Sequence, residues 1–195
     1  YYYQYYEMKI IPARPQDAEF IGNAIVAAIG EEIASGLAGD SHTVADVAAM
    51  FASLAAREDT QYSYRNAVVA VNDAGETVGV CVAYDGGLLH KLREPFFAAV
   101  TERLGLHLDD VEDECEPDEF YIDTLAVHPE YRGRGIAADL LRATIERARE
   151  CGKPAGLLVD KDNDRARRLY GRVGFRKVGE RPFVYVQMDH MQYPD

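Results

Sequence analysis

The sequence predicts an α/β fold, and three observations carry the prediction. Apolar residues switch between strand-like and helix-like spacing along the chain, with no internal repeat and no low-complexity linker. A buried-strand pattern, FYIDTLAV (Phe120 to Val127), runs into YRGRGIAADLL (Tyr131 to Leu141), a glycine–arginine loop that turns at once into a helical pattern. A chain of 195 residues with 48% hydrophobic content can bury a full core, so residues 8–195 are expected to form one domain.

Taken in order, MKIIPA reads as a first strand. Gln16 to Ala34 place Phe20, Ile21, Ala24, Ile25, Ala28 and Ile29 at helical spacing, and Asp46 to Ala56 repeat the pattern. NAVVAV and ETVGVCVAY flank Asn72-Asp73-Ala74-Gly75, the signature of a β-hairpin closed by a short turn. Leu88 to Leu104 is helical in pattern but interrupted by Pro95, and DDVEDECEPDE after it is an acidic, proline-containing loop. Beyond the Phe120 to Val127 strand, Ala137, Leu140, Leu141, Ile145 and Ala148 mark the buried face of a helix that stops at Gly152. AGLLVD is a short buried strand. Asn163 to Val173 is another helix, with Ala166, Leu169, Tyr170 and Val173 inward and Gly174 closing it; FRKV and FVYVQM read as paired strands.

Composition narrows the function classes. No apolar run approaches the roughly 18 residues of a membrane span and no basic–apolar–small segment opens the chain, so a cytoplasmic protein with no membrane contact is expected. The leading YYYQYYE, residues 1–7, is read as an extraneous remnant or disordered segment without function. Cys81, Cys115 and Cys151 are odd in number and far apart, which fits reduced bystanders and no metal site. The net charge of −12 is split: residues 131–181 hold 14 Lys/Arg against 7 Asp/Glu, residues 1–130 hold 7 against 24. Such a split suggests two different partners, and a chain this acidic is a poor match for nucleic acid.

The basic segment contains the most specific signal. The first amides of a helix have no intrahelical acceptor and lie at its positive dipole end, and glycines let a phosphate reach them without meeting a side chain. The loop is therefore built to hold phosphate, with Arg132 and Arg134 adding charge. Gly133-x-Gly135-x-x-Ala138 also satisfies the dinucleotide fingerprint, with Asp160 ending the next strand where a ribose-binding acid belongs. Against that reading, five residues, His128 to Arg132, separate the strand from the first glycine, and only 35 residues follow Asp160. A P-loop fails because no Gly-Lys-Ser/Thr follows.

The stretch closely resembles the coenzyme-A loop of the GNAT superfamily of N-acetyltransferases, whose pattern is Arg/Gln-x-x-Gly-x-Gly/Ala after a strand ending in Leu-x-Val. Arg132, Gly135 and Ala137 fit it, preceded by Leu125-Ala126-Val127 and His128-Pro129. A second block, Asn163, Ala166, Leu169-Tyr170 and Gly174-Phe175, keeps the family's spacing, so the resemblance covers Phe120 to Val178. It implies an α+β variant of the class: a mixed, mostly antiparallel central sheet with helices on both faces and a splayed cofactor cleft. It implies acetyl-CoA as the cofactor. The backbone of Leu125, Ala126 and Val127 would pair with the pantetheine arm, and the amides of Arg132, Gly133, Arg134, Gly135, Ile136 and Ala137 would hold the pyrophosphate. Asn163 would hydrogen-bond near the arm, and the Tyr170 hydroxyl would point at the thioester sulfur. No metal is implied.

The residue types suit acetyl transfer on their own chemistry. An aliphatic amine with a pKa of about 10.4 is nearly all protonated at pH 7, so a base must take a proton before attack. Coenzyme A leaves as a thiolate, and a phenol with a pKa near 10 can donate to it, the role given to Tyr170. Strict alternation along the strand puts Glu119, Tyr121, Asp123, Leu125 and Val127 on one face, which makes Asp123 the expected base. Each role has a bland competitor: Tyr170 as a core aromatic, Asp123 as a hydrogen-bonded strand residue, and Arg165, Arg167 and Arg168 as a solvated helix face that otherwise meets the 3′-phosphate. Three functions follow. The first is acetyl transfer to a primary amine of a small molecule or peptide by direct attack in a ternary complex, with a cationic acceptor favoured if the acids border the cleft. The others are a non-catalytic acyl-CoA sensor and a nicotinamide-dependent oxidoreductase. A homodimer is one assembly this reading allows.

Overall fold

The computed structural model describes residues 8–194, so the reading of residues 1–7 lies outside the described residues. Seven strands make one sheet in the order β1-β2-β3-β4-β5-β7-β6. They are β1 (Lys9–Pro12), β2 (Ala67–Val71), β3 (Thr77–Asp85), β4 (Phe120–Val127), β5 (Ala155–Asp160), β6 (Arg176–Phe183) and β7 (Val186–Gln192). Among the described residues only β4 and β5 run parallel, and every other pairing is antiparallel. This is the mixed, mostly antiparallel sheet expected. It is no doubly wound frame, and the nicotinamide reading falls with it.

Two cores cover the two faces. On one, α1 (Ala18–Ala38), α2 (Val44–Ala55) and α3 (Leu89–Leu104) bring Ile21, Ile25, Phe51, Leu54 and Val100 onto Val69, Val80 and Val82. On the other, α4 (Ile136–Cys151) lays Ile136, Leu140, Leu141 and Ile145 over Val68, Cys81, Ile122 and Leu157, and α5 (Asp164–Val173) packs beside it. Strand β2 is buried at all five residues because both of its faces are covered. Glycine sets the spacing at one crossing: a Cβ on Gly22 of α1 would come within 2.6 Å of the Ala52 amide nitrogen on α2.

Several elements differ from their sequence reading. The stretch Pro15–Ala38 contains an 18-residue window of mean hydropathy 1.3, long and apolar enough to cross a membrane by length and composition, which corrects the expectation that no such run exists. Its alanines and glycines dilute the visible apolar pattern; Ile21, Ala24 and Ile25 are buried in the core and Gly30, at φ 86°, kinks the helix. Helix α3 continues through Pro95, and the next residue is packed in the core: Phe96 stacks on Phe51 and meets Tyr62 edge-on. On α4 the first inward position is Ile136, while Ala137 is half-buried. FVYVQM is not one strand, because Val184 and Tyr185 form the tip of the β6–β7 hairpin at φ 47° and 63°. Tip turns that match strand twist need φ > 0 at both central residues, a geometry the Val-Tyr pair does not advertise.

Candidate active site

The site begins where two strands part. Parallel pairing between β4 and β5 covers Phe120↔Ala155, Tyr121↔Gly156 and Ile122↔Leu157, and stops there. Past that point β4 is paired only to β3, through Thr124↔Val82, Leu125↔Cys81, Ala126↔Val80 and Val127↔Gly79. The backbone edge of Leu125 to Val127 that faces β5 is thus left without a strand partner, as a pantetheine-binding edge requires.

The register also contains an extra residue. Val82 pairs with Thr124 but Ala83 pairs with Ile122, so Asp123 is a β-bulge. It breaks the strict alternation assumed from sequence. Phe120, Ile122, Leu125 and Val127 all pack on the α4 side, whereas Tyr121 packs with Tyr84 on the opposite face. Asp123 therefore does not share a face with Leu125 and Val127. It turns toward Tyr84, beside the point where β5 leaves.

At the far end of β4 a glycine loop leads into α4. Gly133 and Gly135 sit at φ 78° and 82°, and beyond the adjoining residues nothing in the described structure lies within 4 Å of where a Cβ on either would stand. Helix α4 is seated close to the sheet, since a Cβ on Gly79 would meet Leu140 at 3.1 Å and Ile136 at 3.3 Å. Its first intrahelical hydrogen bond is donated by Asp139 N–H to the carbonyl of the N-cap Gly135 at 3.1 Å, so the amides of Ile136, Ala137 and Ala138 have no acceptor within the helix. Arg132 Nε donates to the Val127 carbonyl (3.1 Å) and Arg134 donates to the Glu130 carbonyl (3.0 Å) while lying over the Tyr131 ring. Both arginines are exposed and brace the loop, with further N–H groups left over.

The second block lies on α5 and its N-cap. Asn163 is the N-cap of that helix, its Oδ1 accepting from Ala166 N–H at 3.1 Å, which leaves its carboxamide N–H groups for a ligand. Tyr170 is half-buried, edge-on to Phe175, and burial together with the nearby Cys81 pushes its phenol up to about 12. Arg167 is held by Asp189 (3.3 Å) and by the Lys161 carbonyl (3.2 Å); Arg165 and Arg168 are exposed. Asp160 accepts from Asp162 N–H in a turn (2.8 Å), a local structural use of that carboxylate.

A carboxylate cluster occupies the face toward which the bulge turns Asp123. The Tyr84 hydroxyl lies 2.9 Å from Asp123 Oδ2 and 3.3 Å from Glu114 Oε1. Gln61, 2% exposed, donates to Glu114 Oε1 at 3.2 Å, and its own Oε1 has no partner among the described residues. Thr124 Oγ1 donates to Asp123 Oδ1 at 2.9 Å. Burial raises both carboxyls: Glu114, which also feels the charge of Asp123, is pushed up to about 7, and Asp123 is raised despite its hydrogen bonds from Tyr84 and Thr124. Elsewhere in the acidic loop, Asp113 is held by His90 and Arg93 (both 2.8 Å), and Glu116 pairs with Arg181 of β6. Glu112 and Asp113 line a cleft of about 460 Å³ with Glu180, Arg181 and Pro182.

The profile of the acetyltransferase (GNAT) family matches residues 41–175, from the turn before α2 to the end of α5. The chain belongs to the GNAT family. A solved acetyltransferase structure is 30% identical with a TM-score of 0.76, over 94% of this chain and 97% of its own. The N-alpha-acetyltransferase RimI of Mycobacterium tuberculosis is 45% identical over 69 residues, 35% of this chain; the match spans 42% of that relative's length. A putative acetyltransferase from Salmonella typhimurium, solved with its cofactor acetyl-CoA, shares the fold at 18% identity and a TM-score of 0.54, over 95% of this chain and 92% of its own.

In this GNAT chain Leu125, Val127 and Tyr170 pack against the same α4-side core, and the structure adds three residues that the sequence did not point to. Glu114, Tyr84 and Gln61 come from a loop, a strand and a turn far apart in the chain. Glu114 reads as one acid among many in DDVEDECEPDE; what sets it apart is burial, to 6% exposure, and burial is a tertiary property.

Proposed function

We propose that this chain transfers the acetyl group of acetyl-CoA to a primary amine of a small molecule or peptide, by direct attack in a ternary complex. One observation carries the reading: where β4 parts from β5, a line of unpaired backbone runs from a glycine-rich helix start to a pair of buried carboxyls. The residues present suit acetyl-CoA, since the φ > 0 glycines with open space before them fit a pyrophosphate lying on bare amides. When bound, acetyl-CoA supplies the activated acyl group. Leu125, Ala126 and Val127 would align the pantetheine arm, the amides from Arg132 to Ala137 would hold the pyrophosphate, and Asn163 would donate to the arm. The Tyr170 phenol, protonated across the neutral range, would donate to the departing sulfur. Asp123 would accept the amine's proton, and the unpartnered Gln61 Oε1 offers an acceptor to another amine N–H.

The acceptor is a proposal of the same kind. The name of the RimI relative points to peptide α-amines, and the exposed acids Asp109, Asp110 and Glu112 favour a cationic one. Residues 8–195 would act as one N-acetyltransferase domain in the cytoplasm. The experiment that tests the function is coenzyme A thiol release in the presence of amines, with Tyr170→Phe beside the native protein. Turnover by the native protein and its loss in the variant support the proposal; equal turnover in both removes Tyr170 from the chemistry.

A further inference from the structure

The sheet brings together a buried phenol and two carboxyls with nothing between them. The Tyr84 hydroxyl stands between Asp123 Oδ2 at 2.9 Å and Glu114 Oε1 at 3.3 Å, and has one proton to give to two acceptors. Its ring is 2% exposed and edge-on to Tyr121, so the hydroxyl is fixed in place. The bulge at Asp123 creates the arrangement by turning that carboxylate toward the Tyr84 face. Glu114 is anchored independently of Asp123, by Gln61 Nε2 at 3.2 Å and Arg93 at 3.9 Å, and Arg93 in turn reaches the partly exposed Asp113 and, through it, His90.

Resting on the acetyl-transfer reading, we propose that Tyr84 is a proton relay: the proton Asp123 takes from the amine is passed through the Tyr84 hydroxyl to Glu114. The transfer balances. Asp123, once protonated, gives its proton to the Tyr84 oxygen as the Tyr84 O–H bond breaks and its proton moves to Glu114 Oε1. The phenol ends neutral, Asp123 is again an anion ready for the next amine, and Glu114 carries the proton toward the Arg93, Asp113 and His90 side of the fold.

The surrounding groups have the required character. Burial pushes the Tyr84 phenol well above its ordinary value, so it stays a neutral hydroxyl that passes protons on without ionising. Glu114 is faced by Arg93 from α3, Tyr62 before β2, Tyr84 of β3, Asp123 and Tyr121 of β4, and its neighbour Cys115. Of these only Arg93 is a cation, so burial and Asp123 set its titration at about 7, where a proton store works at neutral pH.

Tyr84→Phe keeps the ring and removes the proton; Glu114→Gln keeps the shape and removes the store; Tyr121→Phe is the packing control. In the native protein kcat/KM for the amine should rise with pH through about 7. That limb should disappear in Tyr84→Phe and Glu114→Gln, with kcat lower by about 10- to 100-fold, and persist in Tyr121→Phe, with KM for acetyl-CoA unchanged in all three. A solvent-isotope proton inventory should be bowed in the native protein and linear in Tyr84→Phe. Tyr84→Phe that keeps the limb and the bowed inventory overturns the relay, as does a limb that survives Glu114→Gln. A second measurement needs no turnover and no Tyr84 variant: carboxyl-carbon NMR of the native protein. If Asp123 and Glu114 each report both titration steps, they share protons as proposed; independent single steps overturn it. A native protein that acetylates no amine defeats the functional reading alone, and the titration still decides the relay.

Discussion

Tyr170 separates packing from chemistry at a single oxygen. Tyr170→Phe retains the ring against Phe175 and the α4 core, so stability and acetyl-CoA affinity should hold while turnover falls by about 10² to 10⁴. Steady-state kinetics beside a thermal melt checks both halves. Glu114 makes the complementary case in pH. Its carboxyl is raised from 4.5 to about 7, so between those values the folded state binds more protons than the unfolded chain. Stability is therefore fully present below the ordinary carboxyl range and declines as pH rises toward 7, a slope that Glu114→Gln should flatten. Melting temperatures from pH 4.5 to 7.5 read this directly; a native protein that becomes more stable across that window contradicts the buried, raised carboxyl. Neither the role of Glu114 nor that of Gln61 is legible in sequence, because each depends on contacts with strands more than 20 residues away.

Two elements show where local reading works and where it stops. The α4 start is legible because its cause is local: glycines at φ 78° and 82°, then free first-turn amides. A side chain on Gly135 would enter the open space where the proposed pyrophosphate would lie, and a β-branched one would also strain the backbone. Gly135→Ala is thus the cleaner variant, costing about 1–2 kcal/mol for the left-handed φ and lowering acetyl-CoA affinity at least tenfold by calorimetry. Unchanged affinity in folded Gly135→Ala would remove the loop from the binding site. Strand β4 is the opposite case. Its hydrophobic pattern identifies a strand, but the bulge at Asp123 is set by pairing with β3, and one extra residue moves Leu125 and Val127 to the other face. On β5, Gly156 faces the fully buried Glu119, which His190 (2.7 Å) and Gln192 (2.9 Å) hold, and a Cβ there would collide with that carboxylate. Gly156→Ala should lower the melting temperature by several degrees, because a buried hydrogen-bonded carboxylate has nowhere to move.

Across the whole molecule, fewer of the acids counted from sequence are free than the count suggests. Asp113 and Glu114 are tied to Arg93 and buried neighbours, and Glu116 to Arg181, whereas Asp109, Asp110 and Glu112 are exposed. Neutralising those three should raise KM for a dicationic amine several-fold, leave KM for acetyl-CoA unchanged, and lose its effect as salt shortens the screening length below about 8 Å. A salt-independent response, or a preferred acceptor that is anionic, removes these acids from acceptor selection. The central claim remains that the open β4 edge, the glycine loop and the buried carboxyls form one acetyl-transfer site. The measurement that addresses it most directly is release of coenzyme A thiol from acetyl-CoA across a panel of small amines and amino-terminal peptides. The account predicts release that depends on the amine, yields an N-acetylated product, and fails in Tyr170→Phe. Tight binding of acetyl-CoA with no thiol release from any amine would contradict it and mark the chain as a binding domain.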